Sequence, residues 1–512
     1  MLETAKGGGF LAAGTFFEFG SRFIIAFVVA RVLGAEQYGI YMLAISVATV
    51  MAAISTAGLD STMVRYVAMQ AGNRDEEGVW GTLQIGVGAS FLVSALLSLG
   101  LYFLIEPLAG ALFDEPQLVP YLQLFCLFIP FMTLSSVMVD VARGFKRMDY
   151  SALAQNGVLF TTRLILVGIL IFVRLDAFTA IIAFGLSEIA VSVSLVYLLN
   201  KQFPLRRPLR QARYEFREIF TFALPFWMSG ILTKFRKNIQ DLLLGTLNTV
   251  VSVGIFSIVS KINLVGHVVY SSVVASVKPI LAELQDRENW EEMRSLYQTT
   301  TRWTFTANLP IFLIMVLYPE QLLLVFGRSF TDGATALAVL ALGELVNAGT
   351  GICGSIIDMT GRTKLKLANA ILWVVLVSVS NVLLIPQWGV LGAAVAAAGS
   401  ISIINFLRVL EVWILYRLLP YNATFLKPIL AGLVAVLVSL IVGQLLPADT
   451  HFLIAVLHML LVVVAYAGML LLLGLAPEER KVLLRTYKQV NGKLGSAQGA
   501  VQRYLTTRLG TR

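Results

Sequence analysis

Apolar runs of close to twenty residues alternate with short polar connections from the start of the chain to about residue 475. Runs of that length fit membrane-crossing helices and not the shorter alternating strands of a barrel. Fourteen such stretches stand out, at about 10–33, 38–66, 79–105, 117–141, 151–174, 177–200, 218–246, 250–277, 297–319, 333–357, 365–385, 389–416, 425–446 and 452–475. The pattern predicts an all-α polytopic membrane protein of about 14 transmembrane helices. No polar segment is long enough to fold as a separate soluble domain. Pro130, Pro225 and Pro310 fall inside the fourth, seventh and ninth spans, as static kinks or as hinges.

A repeat underlies the pattern. VLGAEQYGIYMLAIS (32–46) is echoed by LLGTLNTVVSVGIFSIVS (243–260), with Leu33-Gly34 on Leu244-Gly245 and Gly39-Ile40-Tyr41 on Gly254-Ile255-Phe256. Asp140, Gly144 and Asn156 find a second echo in Asp358, Gly361 and Asn369, and the offsets cluster near 211–218 residues. That distance is six spans, an even number, so the two halves run parallel, as in transporters that handle substrate between their halves. The expected organisation is an N-lobe (1–200, spans 1–6), a basic cytoplasmic linker (201–217), a C-lobe (218–420, spans 7–12), spans 13 and 14 outside the repeat (421–476), and a basic tail (477–512). The tail reads as a short amphipathic helix on anionic lipid or as a solvated segment.

Composition agrees. Of the 512 residues 57% are hydrophobic and 13% charged, with a mean hydropathy of +0.80. Soluble domains run at about 45–50% apolar and about 25% charged. Cys126 and Cys353 lie in apolar runs, which predicts neither a disulfide framework nor a metal site. The opening MLETAKGGGF lacks a basic n-region and a cleavage site, so the first span is expected to remain in the mature protein.

The net charge of +9 reads through topology, not through nucleic acid. With a cytoplasmic N-terminus, the even-numbered connections hold 19 Lys and Arg, among them Arg65, Arg143, Arg147, Arg213, Arg287, Arg362 and Arg417. The odd-numbered ones hold only Arg31, Arg174 and Arg328, so the expectation is a cytoplasmic (inner) membrane protein with both termini cytoplasmic.

Charges inside the apolar runs carry the functional reading. The stretch 220–261 contains Lys234, Arg236, Lys237, Asp241 and Lys261. A cation at a helix centre opposes insertion by about 2.5–3.5 kcal/mol, so these side chains are expected to face protein or a polar cavity that takes anions. Lys234, Lys237 or Asn238, and Asp241 share one helical face. Arg22 sits near mid-depth of the first span, its repeat counterpart near Thr233, and Arg65 sits at the inner end of the second. The competing reading is structural. Glu18–Arg22 and Lys237–Asp241 are i,i+4 pairs that can neutralise themselves, and Arg65 can anchor at the headgroups. Lys234 and Arg236 show no local partner and are the stronger cargo contacts. Arg163 and Arg408 can pair with Glu188 or Glu411. Glu18, Asp241, Glu188 and Glu344 are the acids available for H+ or Na+ coupling, against a purely hydrogen-bonded role. His267 and His458 read as packed. No phosphate loop, HExxH or nucleophile elbow occurs, so covalent chemistry is not expected, and no cofactor beyond a coupling ion.

The motifs LGAEQYGIY, AGLDSTMVRYVA (57–68), GFKRMDYSALAQN (144–156), FALP (222–225) and VGIFSI (253–258) resemble the multidrug/oligosaccharidyl-lipid/polysaccharide exporter superfamily, in its O-antigen and capsule flippase branch. The resemblance covers about 1–416. It implies two six-helix lobes around a central cavity and alternating access. The implied cargo is a polyprenyl-(di)phosphate-linked oligosaccharide, for surface polysaccharide or glycoconjugate assembly. It also implies a monomer in contact with membrane lipids, and polysaccharide-assembly proteins as partners. In related lipid-diphosphate flippases cavity arginines fall in the first, second and eighth spans, where this chain has Arg22, Arg65 and, departing from arginine, Lys261. The substrate-binding set is thus Arg22, Lys234, Arg236, Lys237, Lys261 and Arg65. A drug/cation antiporter of the same superfamily and a peptidoglycan lipid-precursor flippase are the alternatives. A membrane glycosyltransferase or polymerase calls for larger outer loops and an acidic catalytic motif.

Overall fold

A computed structural model describes residues 2–113, 115–203, 212–445 and 452–474, with side chains in the first helix from Phe17 onward. Linker residues 204–211, with Arg206, Arg207 and Arg210, and the tail 477–512 lie outside the described residues. The described elements are helices throughout: α1 (Leu2–Ser55), α2 (Leu59–Gly72), α3 (Glu76–Leu83), α4 (Ser90–Phe113), α5 (Val119–Gly144), α6 (Met148–Ala152), α7 (Leu159–Val173) and α8 (Ala177–Gln202). After the linker come α9 (Phe216–Leu247), α10 (Val250–Asp286), α11 (Trp290–Leu317), α12 (Pro319–Leu324), α13 (Ala334–Thr350), α14 (Cys353–Met359), α15 (Thr363–Tyr416), α16 (Leu426–Leu445) and α17 (Phe452–Leu472). Among the described residues, ten helical stretches are long and apolar enough to cross a membrane. Two of them are each two helices joined across a kink at an internal glycine, Gly34 (φ 72°) in α1 and Gly389 (φ 52°) in α15. The long helices α9 and α11 are outside the ten because they are too polar.

The prolines do not end their helices. Pro130, Pro225 and Pro310 lie inside continuous α5, α9 and α11. The interruptions come elsewhere. Residues 84–89 and 153–158 widen into π-helical turns that join α3 to α4 and α6 to α7. The second expected span breaks at Ala57 and Gly58, both with positive φ. A β-carbon on Gly58 would lie 2.7 Å from the Trp227 backbone nitrogen, so this turn also needs glycine to let α9 approach.

The repeat is visible in the helix starts. Glu76, Val119, Met148 and Ala177 recur at Trp290, Ala334, Thr363 and the residue after Gly389, each displaced by 213–215 residues. At 215 the tight turn at Lys146 (φ 60°) matches that at Gly361 (φ 73°), which moves the expected Gly144–Gly361 pairing by two residues. The Gly39–Gly254 match stands, because the two glycines meet. A β-carbon on Gly39 would lie 2.7 Å from the Val250 carbonyl carbon, and one on Gly254 would lie 2.9 Å from the Gly39 nitrogen and collide with the Ala35 carbonyl. α1 and α10 thus cross reciprocally about the axis that relates the lobes.

Around that crossing the lobes are sealed. Phe326 packs edge-on against Phe23 and Phe27 with ring centroids at 5.7 and 5.8 Å. Arg31 donates to the Leu324 carbonyl at 3.0 Å, and the Ala35 N–H donates to Ser329 Oγ at 3.1 Å. The largest apolar core is here, shared by both lobes from Tyr38 and Leu43 to Val253 and Phe330. Towards the opposite, basic end the core divides. One cluster belongs to the first lobe with the start of α9 (Leu59, Met63, Val137, Ala223), and another belongs to the second lobe alone (Val277, Leu281, Ile356, Val412). α10 records the same divergence, since the stripe buried at Gly254 and Ser257 is exposed at Leu264, Val265 and Ser272. The gap between the lobes therefore widens towards the basic end. α16 and α17 lie outside the repeat and pack on α11, where Tyr318 Oη bonds Ser439 Oγ at 2.6 Å and Tyr466 Oη donates to the Thr306 carbonyl at 3.0 Å.

At the basic end several arginines are paired. Arg213 meets Asp75 at 2.5 Å and Glu215 at 2.9 Å. The Arg147 guanidinium hydrogen-bonds Asp149 at 2.7 Å and holds that carboxyl below the usual carboxylate range. These pairs are solvent-facing and add little stability.

Candidate functional site

α9 is the element that brings charge between the lobes. Its first half lies on the first lobe. Trp227 Nε1 donates to the Ile54 carbonyl at 2.8 Å, and Phe222 meets the Tyr66 ring at 5.9 Å. Its last turns are clamped where Leu244 is fully buried and Gly245 faces Leu43. Between these anchors Leu232–Lys237 are exposed, so the cationic stretch crosses the gap largely uncovered. Three cations are tolerated on α9 there because they need not be packed against hydrocarbon.

The expected site residues divide into groups. Lys237 lies within electrostatic reach of Lys234, Arg236 and, from the first lobe, Arg22. Arg22 and Arg236 each stand eleven residues before the ends of their helical segments at Leu33 and Leu247, so Arg236, not Thr233, is the positional counterpart of Arg22. Arg22 is ion-paired with Glu18 at 2.7 Å yet remains 59% exposed, and its guanidinium lies 5.2 Å from the Phe160 ring. Arg236 lies 5.2 Å from the Trp373 ring. Lys234, without a partner nearby in its own helix, lines a cavity of about 260 Å³ with Asp60, Ser135, Gln155 and Glu188 from other helices. Arg65 stands apart from this set, 4.2 Å over the Phe222 ring, where it clamps α2 to α9.

Asp241 is not neutralised by Lys237, although the two are one helical turn apart. Its carboxylate accepts from Ser46 Oγ of α1 at 3.0 Å and from Ser257 Oγ of α10 at 3.3 Å, with Lys261 as the nearby cation. Lys261 Nζ lies 3.6 Å from Met42 Sδ and 5.3 Å from the Tyr38 ring. This small cluster bridges the lobes just inside the Gly39–Gly254 crossing. Glu188 pairs with Arg163 at 3.4 Å and accepts from Ser135 Oγ at 2.8 Å, as one of the two expected partnerships. The other is electrostatic only: Arg408 lies within reach of Glu411, while Glu411 accepts from Asn369 at 2.7 Å and Arg408 donates to Asn405 at 3.4 Å. His267, read as merely packed, faces Glu344 at 3.8 Å. No spacing rule finds that pair, since the two residues are on helices far apart in the chain.

Around the middle of the gap Arg22, Arg163, Lys234, Arg236, Lys237 and Lys261 outnumber Glu18, Asp60, Glu188 and Asp241. The exposed guanidinium and ammonium groups of Arg22, Lys234, Arg236 and Lys237, with aromatic rings beside Arg22 and Arg236, suit a phosphate or diphosphate attached to a larger polar group.

Comparison with known proteins places this geometry. A family model described as "Polysaccharide biosynthesis protein" matches residues 4–285, more than half of the chain. The chain belongs to the polysaccharide biosynthesis protein family. A second model, MatE, matches residues 225–383, and the two together place this family member in the multidrug/oligosaccharidyl-lipid/polysaccharide exporter superfamily. The Staphylococcus aureus capsular polysaccharide biosynthesis protein CapF is 23% identical over 43% of this chain and 55% of its own length. Agl15 of Haloferax volcanii, a probable low-salt glycan biosynthesis flippase, is 21% identical over 46% of this chain and 47% of its own. The chain thus spans about half the length of the curated relatives it matches. Its fold is that of the lipid II flippase MurJ in an inward closed conformation, with a TM-score of 0.70 at 13% identity over 90% of this chain and 97% of that one.

Proposed function

We propose that this protein is a flippase that carries a polyprenyl-(di)phosphate-linked oligosaccharide across the cytoplasmic membrane by alternating access, for surface polysaccharide or glycoconjugate assembly. The observation that carries the reading is the cationic set on α9 and α1, held exposed in a gap that is sealed at one end and open at the other. The basic end faces the cytoplasm by the positive-inside rule, which puts the open side where a lipid-linked precursor is made. The isoprenoid tail stays in the bilayer, the phosphates exchange water for Arg22, Arg236 and Lys237, and the glycan occupies the widening gap. A cation exporter needs the opposite charge balance at this level.

The test is polysaccharide export in a flippase-deficient host. It compares wild type with Arg22→Ala, Lys234→Ala, Arg236→Ala and Lys237→Ala at matched membrane levels. A charge-assisted bond is worth about 1.5–3 kcal/mol, so each lost phosphate contact lowers flipping by roughly 10- to 150-fold. Lipid-linked precursor then accumulates on the inner leaflet. Export unaffected by all four substitutions refutes the cargo site.

A further inference from the structure

The cargo reading leaves a polar set inside the second lobe unused. His267 of α10 brings Nδ1 to 3.8 Å from Glu344 Oε2 of α13, with the imidazole 45% and the carboxyl 16% exposed. The same Glu344 oxygen accepts from Asn347 Nδ2 at 3.0 Å, and Asn347 Oδ1 accepts from Asn405 Nδ2 at 2.8 Å. Arg408 donates to Asn405 Oδ1 at 3.4 Å. Two amides therefore stand between the carboxylate and the guanidinium, which keeps Glu344 available to His267. Next to His267, Gly266 makes room for the Phe312 ring of α11, with Asn308 Oδ1 3.4 Å from where a β-carbon would be. Asn308 is fully buried, and that oxygen has no hydrogen-bond partner, nor has Asn263 Oδ1 one turn earlier on α10. An imidazole that faces a carboxylate left free of any guanidinium is a place for a proton.

We propose that His267 and Glu344 form a proton-binding site of the second lobe that sets the conformation of the lobes, a role that rests on the alternating-access reading above. A proton from the gap adds to imidazole Nδ1, and the imidazolium formed draws α10 towards Glu344 of α13. Tyr270 of α10 stands within electrostatic reach of Glu344, of Cys353 of α14 and of Arg408 of α15. Tyr270 is committed to the Gly351 carbonyl at 3.0 Å. α10 also carries Ser257 and Lys261 into the inter-lobe cluster with Asp241, so a charge change at His267 reaches the lobe interface along one continuous helix.

The experiment uses the full chain in lipid nanodiscs without cargo. Spin labels sit at Asn73→Cys and Asp286→Cys, exposed at the basic end of each lobe. Between about pH 8 and pH 5.5 the wild-type distance distribution shifts, with a midpoint in the histidine range of about 5–8. The shift is lost in His267→Gln and in Glu344→Gln, and His267→Lys shows the low-pH distribution at pH 8. No shift in wild type, or a shift retained in His267→Gln, overturns the proposal. So does a shift produced at constant pH by replacing choline with sodium and kept in His267→Gln, which assigns the acceptors to a metal cation. Because no cargo is present, a pH response that survives while export fails leaves this site standing and refutes only the cargo.

Discussion

Gly39→Ala tests the sealed crossing most directly. A β-carbon there lies 2.7 Å from the Val250 carbonyl carbon, whereas carbon atoms in contact sit at about 3.5–4.0 Å, so α1 and α10 must part by about 1 Å. Overpacking of this kind costs about 1–3 kcal/mol. The cost falls on the state in which the helices touch and not on a state in which the lobes separate at this end. The population ratio between the two then moves by roughly 5- to 150-fold towards the separated state. Spin labels at Glu36→Cys and Asp332→Cys, exposed on opposite lobes at the sealed end, read that ratio as a gain of long distances. Gly254→Ala acts in the same direction, because its β-carbon meets the Gly39 nitrogen at 2.9 Å. If both variants keep the wild-type distance distribution, the crossing yields without cost and does not set the balance between the two states.

Arg163→Leu strands Glu188 in a nearly enclosed site and is expected to cost about 3–5 kcal/mol, read as a lower thermal midpoint, while Arg163→Leu with Glu188→Leu recovers most of it. A double-mutant cycle between Asp241 and Lys261 returns a coupling of about 0.5–3 kcal/mol, whereas the cycle between Asp241 and Lys237 returns close to none. The reverse order would restore the i,i+4 pairing.

Much of the architecture was legible because bilayer physics acts on local composition. Every backbone polar group must be bonded within its own helix, so long apolar runs read directly as helices, and the glycine pattern of the repeat survives wherever backbones touch. The breaks were less legible. Prolines advertised interruptions at Pro130, Pro225 and Pro310 that the helices absorb, whereas the turns at Ala57-Gly58 and the π-helical segments leave little trace in composition.

By itself, the sequence determined that this is a helical membrane protein with an internal repeat and with cations inside its apolar runs, since insertion cost and repeat period are properties of single segments. Which charges meet was decided only by the tertiary structure. Asp241 and Lys237 are close in the chain, but Ser46, Ser257 and Lys261 arrive from other helices and surround the carboxylate more completely than one turn of its own helix can. Likewise His267 and Glu344 acquire a relation only through the packing of α10 on α13. A charge inside a membrane protein settles with whatever polar partner the fold delivers, and spacing along the chain does not encode that delivery.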